Sequence, residues 1–288
     1  MTISRRAFMA AGTASLFGSL ATPTIINAQS LGRNDIWTKL PTTVLKSSIS
    51  LIMDASGSMV EEIEDQKLGH MDALSSPATV DKITRPNLMG CFGIAVNMLS
   101  FSDTTTLLRP HGESSYEASW AVLETTEDIQ QFRNFIADHA PIIANASTMT
   151  VTALEVARAS QLQLPHQVAK KVCDLCTDGP YGNDNQASDL YEKAVILKQT
   201  VDDMAKRDGI VTNVLAMMDD QNKPRLIMPG EDKHRFVDLK EYYNTFGVNG
   251  YQSETDCESG RVFTIRKGGR FIDTITGGLN LKIGYEIG

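Results

Sequence analysis

The amino-acid sequence predicts an α/β fold, a Rossmann-like three-layer α/β/α arrangement around a mainly parallel central sheet. Strand-like and helix-like segments alternate from Val44 onward, an order typical of strands joined by crossover helices. Ile210–Met217 is a nearly unbroken apolar run, as expected for a strand covered on both faces of a sheet. Right-handed crossovers place the loops that follow such strands at one edge of the sheet.

The first half of the chain contains both kinds of element. Ile49–Met53 is an apolar run that predicts the first strand. Apolar residues at helical spacing predict a helix over Glu62–Ile83, and alternating apolar and small residues predict a second strand over Cys91–Leu99. A third strand is predicted over Ser119–Leu123. Two further helices are predicted from the same helical spacing, Ile129–His139 and Thr150–Gln161.

The second half continues the alternation, beginning with a predicted strand over Lys171–Cys176. The clearest helix runs from Ala187 to Arg207, where apolar residues recur every three or four positions before Gly209. The polar stretch Asp219–His234 contains two prolines, Pro224 and Pro229, and is predicted to be a loop. The remaining predicted elements are the strand Ile210–Met217, a short helix Phe236–Phe246, an edge strand Arg261–Ile265 and a closing helix Phe271–Ile287.

Residues 1–28 have the pattern of a twin-arginine signal peptide. Arg5 and Arg6 precede a mildly apolar stretch, and Ile26-Asn27-Ala28 resembles a cleavage site. Residues 29–43 would then be a linker or an edge segment, and residues 44–288 the main domain. We therefore expect a periplasmic or secreted protein, exported by the twin-arginine route, whose mature chain has no transmembrane segment.

The charge of the chain argues against nucleic acid as a partner. Residues 1–28 hold two arginines and no acidic residue, so their removal changes the formal net charge from −8 to −10. Phosphate backbones and anionic membrane surfaces repel a protein of this charge.

Four cysteines, Cys91, Cys173, Cys176 and Cys257, allow three disulfide pairings in an oxidising compartment, and the sequence leaves the choice open. Cys173 and Cys176 lie three positions apart in a predicted strand. Their side chains would point to opposite faces, too far apart to form a bridge. We therefore predict that these two cysteines belong to the core rather than to a redox motif or a zinc site.

The most informative segment is D-x-S-G-S, at the end of the first predicted strand. Asp54, Ser56 and Ser58 occupy alternate positions, so their side chains emerge on one side of an extended backbone. A carboxylate and two hydroxyls are hard oxygen ligands of the kind that small divalent cations such as Mg²⁺ prefer. Asp178 follows the strand Lys171–Cys176, so we expect it at the same edge of the sheet.

Together with a threonine near a helix start, these motifs resemble the von Willebrand factor type A (VWA) domain and its metal-ion-dependent adhesion site (MIDAS). The motifs are D-x-S-x-S at Asp54, Ser56 and Ser58, the threonine Thr148, and T-D-G around Asp178. More closely, the chain resembles the bacterial exported DUF1194 family, which is built on this domain. The matching stretches fall within residues 62–74, 174–185, 239–243 and 275–287, and the resemblance covers essentially all of residues 45–288.

The resemblance implies a non-enzymatic protein-binding module. Asp54, Ser56, Ser58, Thr148 and Asp178 would hold a divalent cation, Mg²⁺ before Ca²⁺ or Mn²⁺, and an aspartate or glutamate carboxylate of a partner protein would complete its coordination. Thr150 is an alternative to Thr148, because the segment lacks the glycine usual before the threonine of the family. The alternative function is a metal-dependent hydrolase of the cell envelope, in which the ion activates water.

Overall fold

A seven-stranded, mainly parallel sheet forms the centre of the fold. Its path runs β3-β2-β1-β5-β6-β9, and β4 also pairs with β2. Strands β3 and β4 are antiparallel to β2, whereas every other pairing in the sheet is parallel. These strands are β1 Ser47–Asp54, β2 Ile94–Phe101, β3 Thr105–Leu107, β4 Ala121–Leu123, β5 Lys171–Thr177, β6 Ile210–Met218 and β9 Val262–Arg266.

The structure is a computed structural model that describes residues 35–110, 113–138, 147–182, 187–218, 225–226, 235–249, 260–267 and 271–287. The predicted signal peptide, most of the predicted loop Asp219–His234, and Cys257 lie outside these residues. All described residues belong to one compact unit, Asp35–Gly288. Within them, no helix is long and apolar enough to cross a lipid bilayer.

Seven α-helices within the described residues cover the two faces of the sheet. Helices α1, α3 and α7 pack together on one face, and α4, α5 and α6 cover the other. The predicted three-layer α/β/α class with a mainly parallel sheet is therefore confirmed. The helices are α1 Ile63–Ser75, α2 Pro77–Thr84, α3 Thr126–Asp138, α4 Thr150–Leu162, α5 Ala187–Asp208, α6 Leu239–Phe246 and α7 Phe271–Ile287.

The apolar spacing that predicted α5 corresponds to its buried face. All five residues of the predicted stripe are 7% exposed or less: Leu190, Ala194, Leu197, Val201 and Met204. They pack against the face of the sheet that also carries the Cys173 side chain, while Cys176 belongs to the apolar cluster on the opposite face. Both cysteines are buried and free, as predicted for core residues of one strand.

Helix α7 places the buried ammonium group of Lys282 against the central sheet. Lys282 is fully buried; its ammonium group contacts the carboxylate of Asp174 on β5 and donates a hydrogen bond of 2.9 Å to the Leu175 carbonyl. A buried ammonium group is stable only with such partners. This contact therefore connects α7 to β5.

The prediction of a single helix over Glu62–Ile83 was wrong, because the chain breaks at Ser76. Ser76 is extended, and its hydroxyl accepts a hydrogen bond from the Thr79 amide. Pro77 then occupies the first position of α2, where its missing amide hydrogen is not needed. Two helices therefore replace the predicted one.

Three other boundaries differ from the prediction for local reasons. Strand β2 begins at Ile94 rather than Cys91, after Gly93 with a φ of 70°. Strand β4 begins at Ala121 rather than Ser119, because Glu117–Ser119 forms a 3-10 turn. Helix α6 begins at Leu239 rather than Phe236, because the carboxylate of Asp238 caps it by accepting a hydrogen bond from the Glu241 amide at 2.7 Å.

Three short strands were not predicted. One is β3, and the others are β7 (Arg225–Leu226) and β8 (Arg235–Phe236), which pair with each other as an antiparallel hairpin. Strand β7 falls inside the stretch Asp219–His234 that was predicted to be entirely loop. Two- and three-residue strands are too short to show a periodic pattern in the sequence.

Candidate metal centre

The centre of the candidate site lies at the carboxyl ends of the neighbouring strands β1 and β5. The chain order reverses at β1, because β2 lies on one side of it and β5 on the other. Ligands of parallel α/β sheets bind at such reversal points. Asp54 ends β1 and Thr177 ends β5, and the Thr177 hydroxyl donates a hydrogen bond of 2.6 Å to Asp54 Oδ2.

The loop after β1 extends this contact into a hydrogen-bonded network. The Ser56 amide donates to Asp54 Oδ1 at 2.8 Å, and the hydroxyl oxygens of Ser56 and Ser58 lie 3.2 Å apart. The Ser58 hydroxyl donates to Asp178 Oδ1 at 2.9 Å. Four of the five predicted site residues are thus connected. Both carboxylates are fully buried whereas Ser58 is exposed, so the network opens to solvent at Ser58.

Thr148, the fifth predicted residue, lies against the loop that carries Asp178. Its carbonyl accepts a hydrogen bond from the Gly182 amide at 2.9 Å. A Cβ atom at Gly179 would lie 3.3 Å from the Thr148 hydroxyl oxygen, so glycine at this position permits the close approach. Thr150 lies two positions further on, at the first position of α4, where its buried hydroxyl has no hydrogen-bond partner among the described residues.

Gln66 of α1 fixes the backbone of Asp54. The fully buried Gln66 amide accepts a hydrogen bond from the Asp54 amide at 3.2 Å and donates one to the Asp54 carbonyl at 3.0 Å. The Gln66 carbonyl is in turn 2.8 Å from His70 Nδ1. Burial lowers the pKa of His70 to about 4, so this imidazole is neutral at physiological pH and adds no charge behind the site.

The surroundings of Asp54 disfavour the ionised form of its carboxyl group. Burial raises the pKa of Asp54 to about 6, and the negative charge of Asp178 adds to the shift; hydrogen bonds from Ser56 and Thr177 oppose it. Desolvation and a nearby like charge both disfavour the ionised form of a carboxylic acid. A cation bound between the two aspartates would offset both the burial of the Asp54 charge and its repulsion from Asp178.

Lys267, which directly follows β9, is a further charged residue at the site. Its ammonium nitrogen lies 2.5 Å from Asp178 Oδ2 and 3.2 Å from the Ser58 carbonyl oxygen. It also lies 3.7 Å from a carboxylate oxygen of Glu62, at the start of α1. One lysine thus partly balances two buried aspartates.

The donor set fits a hard divalent cation. Two carboxylates and the hydroxyls of Ser56, Ser58 and Thr148 are the oxygen ligands that Mg²⁺, Ca²⁺ and Mn²⁺ prefer. In the part of the chain that the structure describes, no group of three or more His, Cys, Asp or Glu side chains could hold a metal ion.

Sequence reasoning missed Gln66 and Lys267, and it assigned no role to the Thr177 side chain. The motif around Asp178 contains Thr177, so a hydrogen bond between the two strand ends could have been expected. Gln66 lies within the matching stretch 62–74, but nothing in that stretch indicates which backbone groups its side chain contacts. Lys267 is separated from Asp178 by 89 positions, and no pattern in the sequence connects the two.

The family model described as "Protein of unknown function (DUF1194)" matches residues 44–254. Among curated proteins, no sequence matches the chain.

Solved structures with a similar fold are distant in sequence. The PilB minor pilin from Streptococcus sanguinis matches with a TM-score of 0.52 and 11% identity, over 87% of this chain and 64% of that one. The pilus adhesin SpaC from Lactobacillus rhamnosus GG matches with a TM-score of 0.51 and 12% identity, over 86% and 31%. A von Willebrand factor type A protein from Catenulispora acidiphila matches with a TM-score of 0.48 and 15% identity, over 86% and 44%. The chain spans less than two thirds of each, and the pilin and the adhesin show similarity of fold alone.

Proposed function

The chain belongs to the DUF1194 family, and on this basis we propose that it is an exported, metal-dependent protein-binding module of the adhesion type. Asp54, Ser56, Ser58, Thr148 and Asp178 hold a divalent cation, Mg²⁺ before Ca²⁺ or Mn²⁺. An aspartate or glutamate carboxylate of the partner completes the coordination, as the resemblance to VWA domains implies. Binding is therefore lost when the cation is removed.

One observation carries this proposal: two fully buried aspartates meet hydroxyl groups in a single network at the end of β1 and β5. Buried carboxylates of like charge are costly unless a cation or a proton balances them. Hydroxyl oxygens add neutral ligands without adding charge, so the two positive charges of a divalent ion balance the negative charges of the two carboxylates. An acidic partner can then approach an otherwise acidic protein.

Metal binding is tested by calorimetric titration of the chelator-treated protein with Mg²⁺, Mn²⁺ and Ca²⁺. We expect a single site that is lost in Asp178→Asn. Thr148→Val removes one hydroxyl ligand at nearly constant volume and should weaken the binding of the ion. Thr150→Val is the matched comparison, since Thr150 is the alternative ligand two positions away and its buried hydroxyl has no hydrogen-bond partner among the described residues. Equal effects of the two valine variants would contradict the assignment of Thr148.

Partner capture is tested separately with immobilised protein and a cell-envelope extract. Proteins retained with Mg²⁺ and released by chelator, and absent from the Asp178→Asn column, support the proposal. Replacing the Asp or Glu side chains of the captured protein by their amides should likewise abolish its retention. Retention that is unchanged by the chelator and by the Asp178→Asn substitution would refute the proposal of metal-dependent binding. Turnover of ester or phosphate substrates that disappears in this variant would favour the hydrolase instead.

Export is proposed from the arginine pair in residues 1–28. Replacement of Arg5 and Arg6 by lysine should leave the protein in the cytoplasm, because the twin-arginine route reads this pair. Cell fractionation measures the outcome. Normal export of the Lys-Lys variant would exclude the twin-arginine route without affecting the binding proposal.

A further inference from the structure

We propose that Lys267 lowers the affinity of the candidate site for its metal ion, because its ammonium group is a built-in counter-cation of Asp178. This inference rests on the proposed function, since it concerns the charge that the incoming ion meets. It assigns a role to a residue outside the five predicted ligands.

The geometry places the ammonium group at the site rather than in solvent. The Lys267 side chain is 10% exposed, and its nitrogen lies 2.5 Å from Asp178 Oδ2. The other oxygen of Asp178 accepts the hydrogen bond from Ser58. Both oxygens of this carboxylate are therefore engaged, and an ion that uses Asp178 as a ligand must displace one of the two donors or share the oxygen with it.

The charge count gives the direction of the effect. With Asp54 and Asp178 ionised, the buried carboxylates carry two negative charges, and Lys267 reduces their sum to one. A divalent cation is attracted less strongly to such a site, because Coulomb attraction scales with the charge that it meets. An ammonium group has hydrogens to donate and no lone pair to offer, so Lys267 cannot compensate by acting as a ligand.

Glu62 gives the displaced lysine an alternative partner. Its carboxylate oxygen already lies 3.7 Å from the Lys267 nitrogen, and its side chain is 24% exposed. A small rotation of the lysine side chain would transfer the ion pair from Asp178 to Glu62. Lys267 thus has a partner both before and after a metal ion binds, which makes the exchange feasible without an unpaired buried charge.

The test is calorimetric titration of the chelator-treated full chain with Mg²⁺, and with Mn²⁺ where Mg²⁺ binding is weak. Lys267→Met removes the charge and keeps a long apolar side chain. We expect this variant to bind the ion about ten- to a thousandfold more tightly, the range by which one nearby charge changes the binding of a single proton. Lys267→Arg keeps the charge and should stay near the wild type. Lys240→Met, at an exposed position on α6, controls for the loss of a distant positive charge.

The outcomes separate this inference from the proposed function. If Lys267→Met binds Mg²⁺ as the wild type does, or more weakly, the inference is overturned and the metal site stands. If neither the wild type nor Lys267→Met binds Mg²⁺ or Mn²⁺, both proposals fail. Lys267→Gln serves as a second neutral variant, and circular dichroism at the titration temperature verifies that each protein is folded.

Discussion

Asp54→Asn is expected to stabilise the metal-free protein while abolishing its response to metal. The pKa of Asp54 is raised from 3.8 to about 6 in the fold. At neutral pH the folded state therefore holds this carboxylate ionised against its preference. A shift of one pKa unit corresponds to about 1.4 kcal/mol, so the neutral amide should increase the free energy of unfolding by about 3 kcal/mol in the presence of chelator.

The surroundings of Asp54 can accept an amide. The Thr177 hydroxyl, which donates to Asp54 Oδ2, has a second acceptor in the Gly179 carbonyl at 3.2 Å. It can therefore turn toward Gly179 and accept a hydrogen bond from an asparagine. The Ser56 amide can still donate to the remaining side-chain oxygen, as it does to Asp54 Oδ1. The substitution thus removes a charge without leaving a buried group unpaired.

Urea unfolding at pH 7.5, with chelator and with saturating Mg²⁺, measures the effect. An increase of about 3 kcal/mol corresponds to a rise in melting temperature of roughly 6–12 °C for a domain of this size. Mg²⁺ at a hundred times its dissociation constant should add about 2.7 kcal/mol to the wild type and nothing to the variant. Asp138→Asn, at an exposed position, is the control. A destabilised Asp54→Asn protein in chelator would refute the electrostatic reasoning.

The same pKa shift predicts a pH dependence of the metal-free wild type. The pKa of Asp54 is higher in the folded than in the unfolded state, so the folded protein binds the proton more tightly. This contribution to stability is lost as the pH rises from about 4 to about 6. The difference in unfolding free energy between wild type and Asp54→Asn should therefore grow over that range. Gln66→Met should cost about 1–3 kcal/mol in urea unfolding, because the buried Asp54 carbonyl loses its side-chain donor, whereas the exposed Gln130→Met should be neutral. Lys282→Met should cost about 3–5 kcal/mol, because it leaves the buried carboxylate of Asp174 without its cation; an unchanged unfolding midpoint would show that the pair adds nothing. The two cysteines of β5 should resist alkylation in the native protein and react after unfolding, because burial raises the pKa of both thiols.

The location of Asp54 and Asp178 at one edge of the sheet could be predicted from the fold class. Each residue comes directly after an apolar strand, and parallel strands present their carboxyl ends at one edge of a sheet. The D-x-S-G-S spacing then placed Ser56 and Ser58 on the same side. The meeting of the two aspartates in one hydrogen-bonded network also requires β1 and β5 to be neighbours in the sheet, and the fold class alone does not determine that strand order.

The charge balance of the site could not be predicted in the same way. Lys267 approaches Asp178 from a strand at the far edge of the sheet, and its position depends on β6 lying between β5 and β9. Gln66 binds the backbone of Asp54 through its side-chain amide, and glutamine is a common residue in helices that signals no particular contact. Both contacts depend on tertiary packing, which has no periodic signature in the chain.

The break between α1 and α2 shows a different limitation. The signal was present in the sequence as Ser76-Pro77, a helix cap followed by the residue best tolerated at a helix start. It was overlooked because apolar residues continue at helical spacing on both sides of the break. A strong capping signal should therefore take precedence over an unbroken periodicity.

The long separation in sequence between the two halves of the site has a kinetic consequence. The Ser58 and Asp178 side chains meet across 120 positions, and those of Asp54 and Thr177 across 123. A nascent or partly collapsed chain that has not yet paired β1 with β5 offers no complete chelate. We therefore expect divalent ions to lower the unfolding rate and to leave the refolding rate unchanged. Contacts that form after the rate-limiting barrier of folding affect only the unfolding rate.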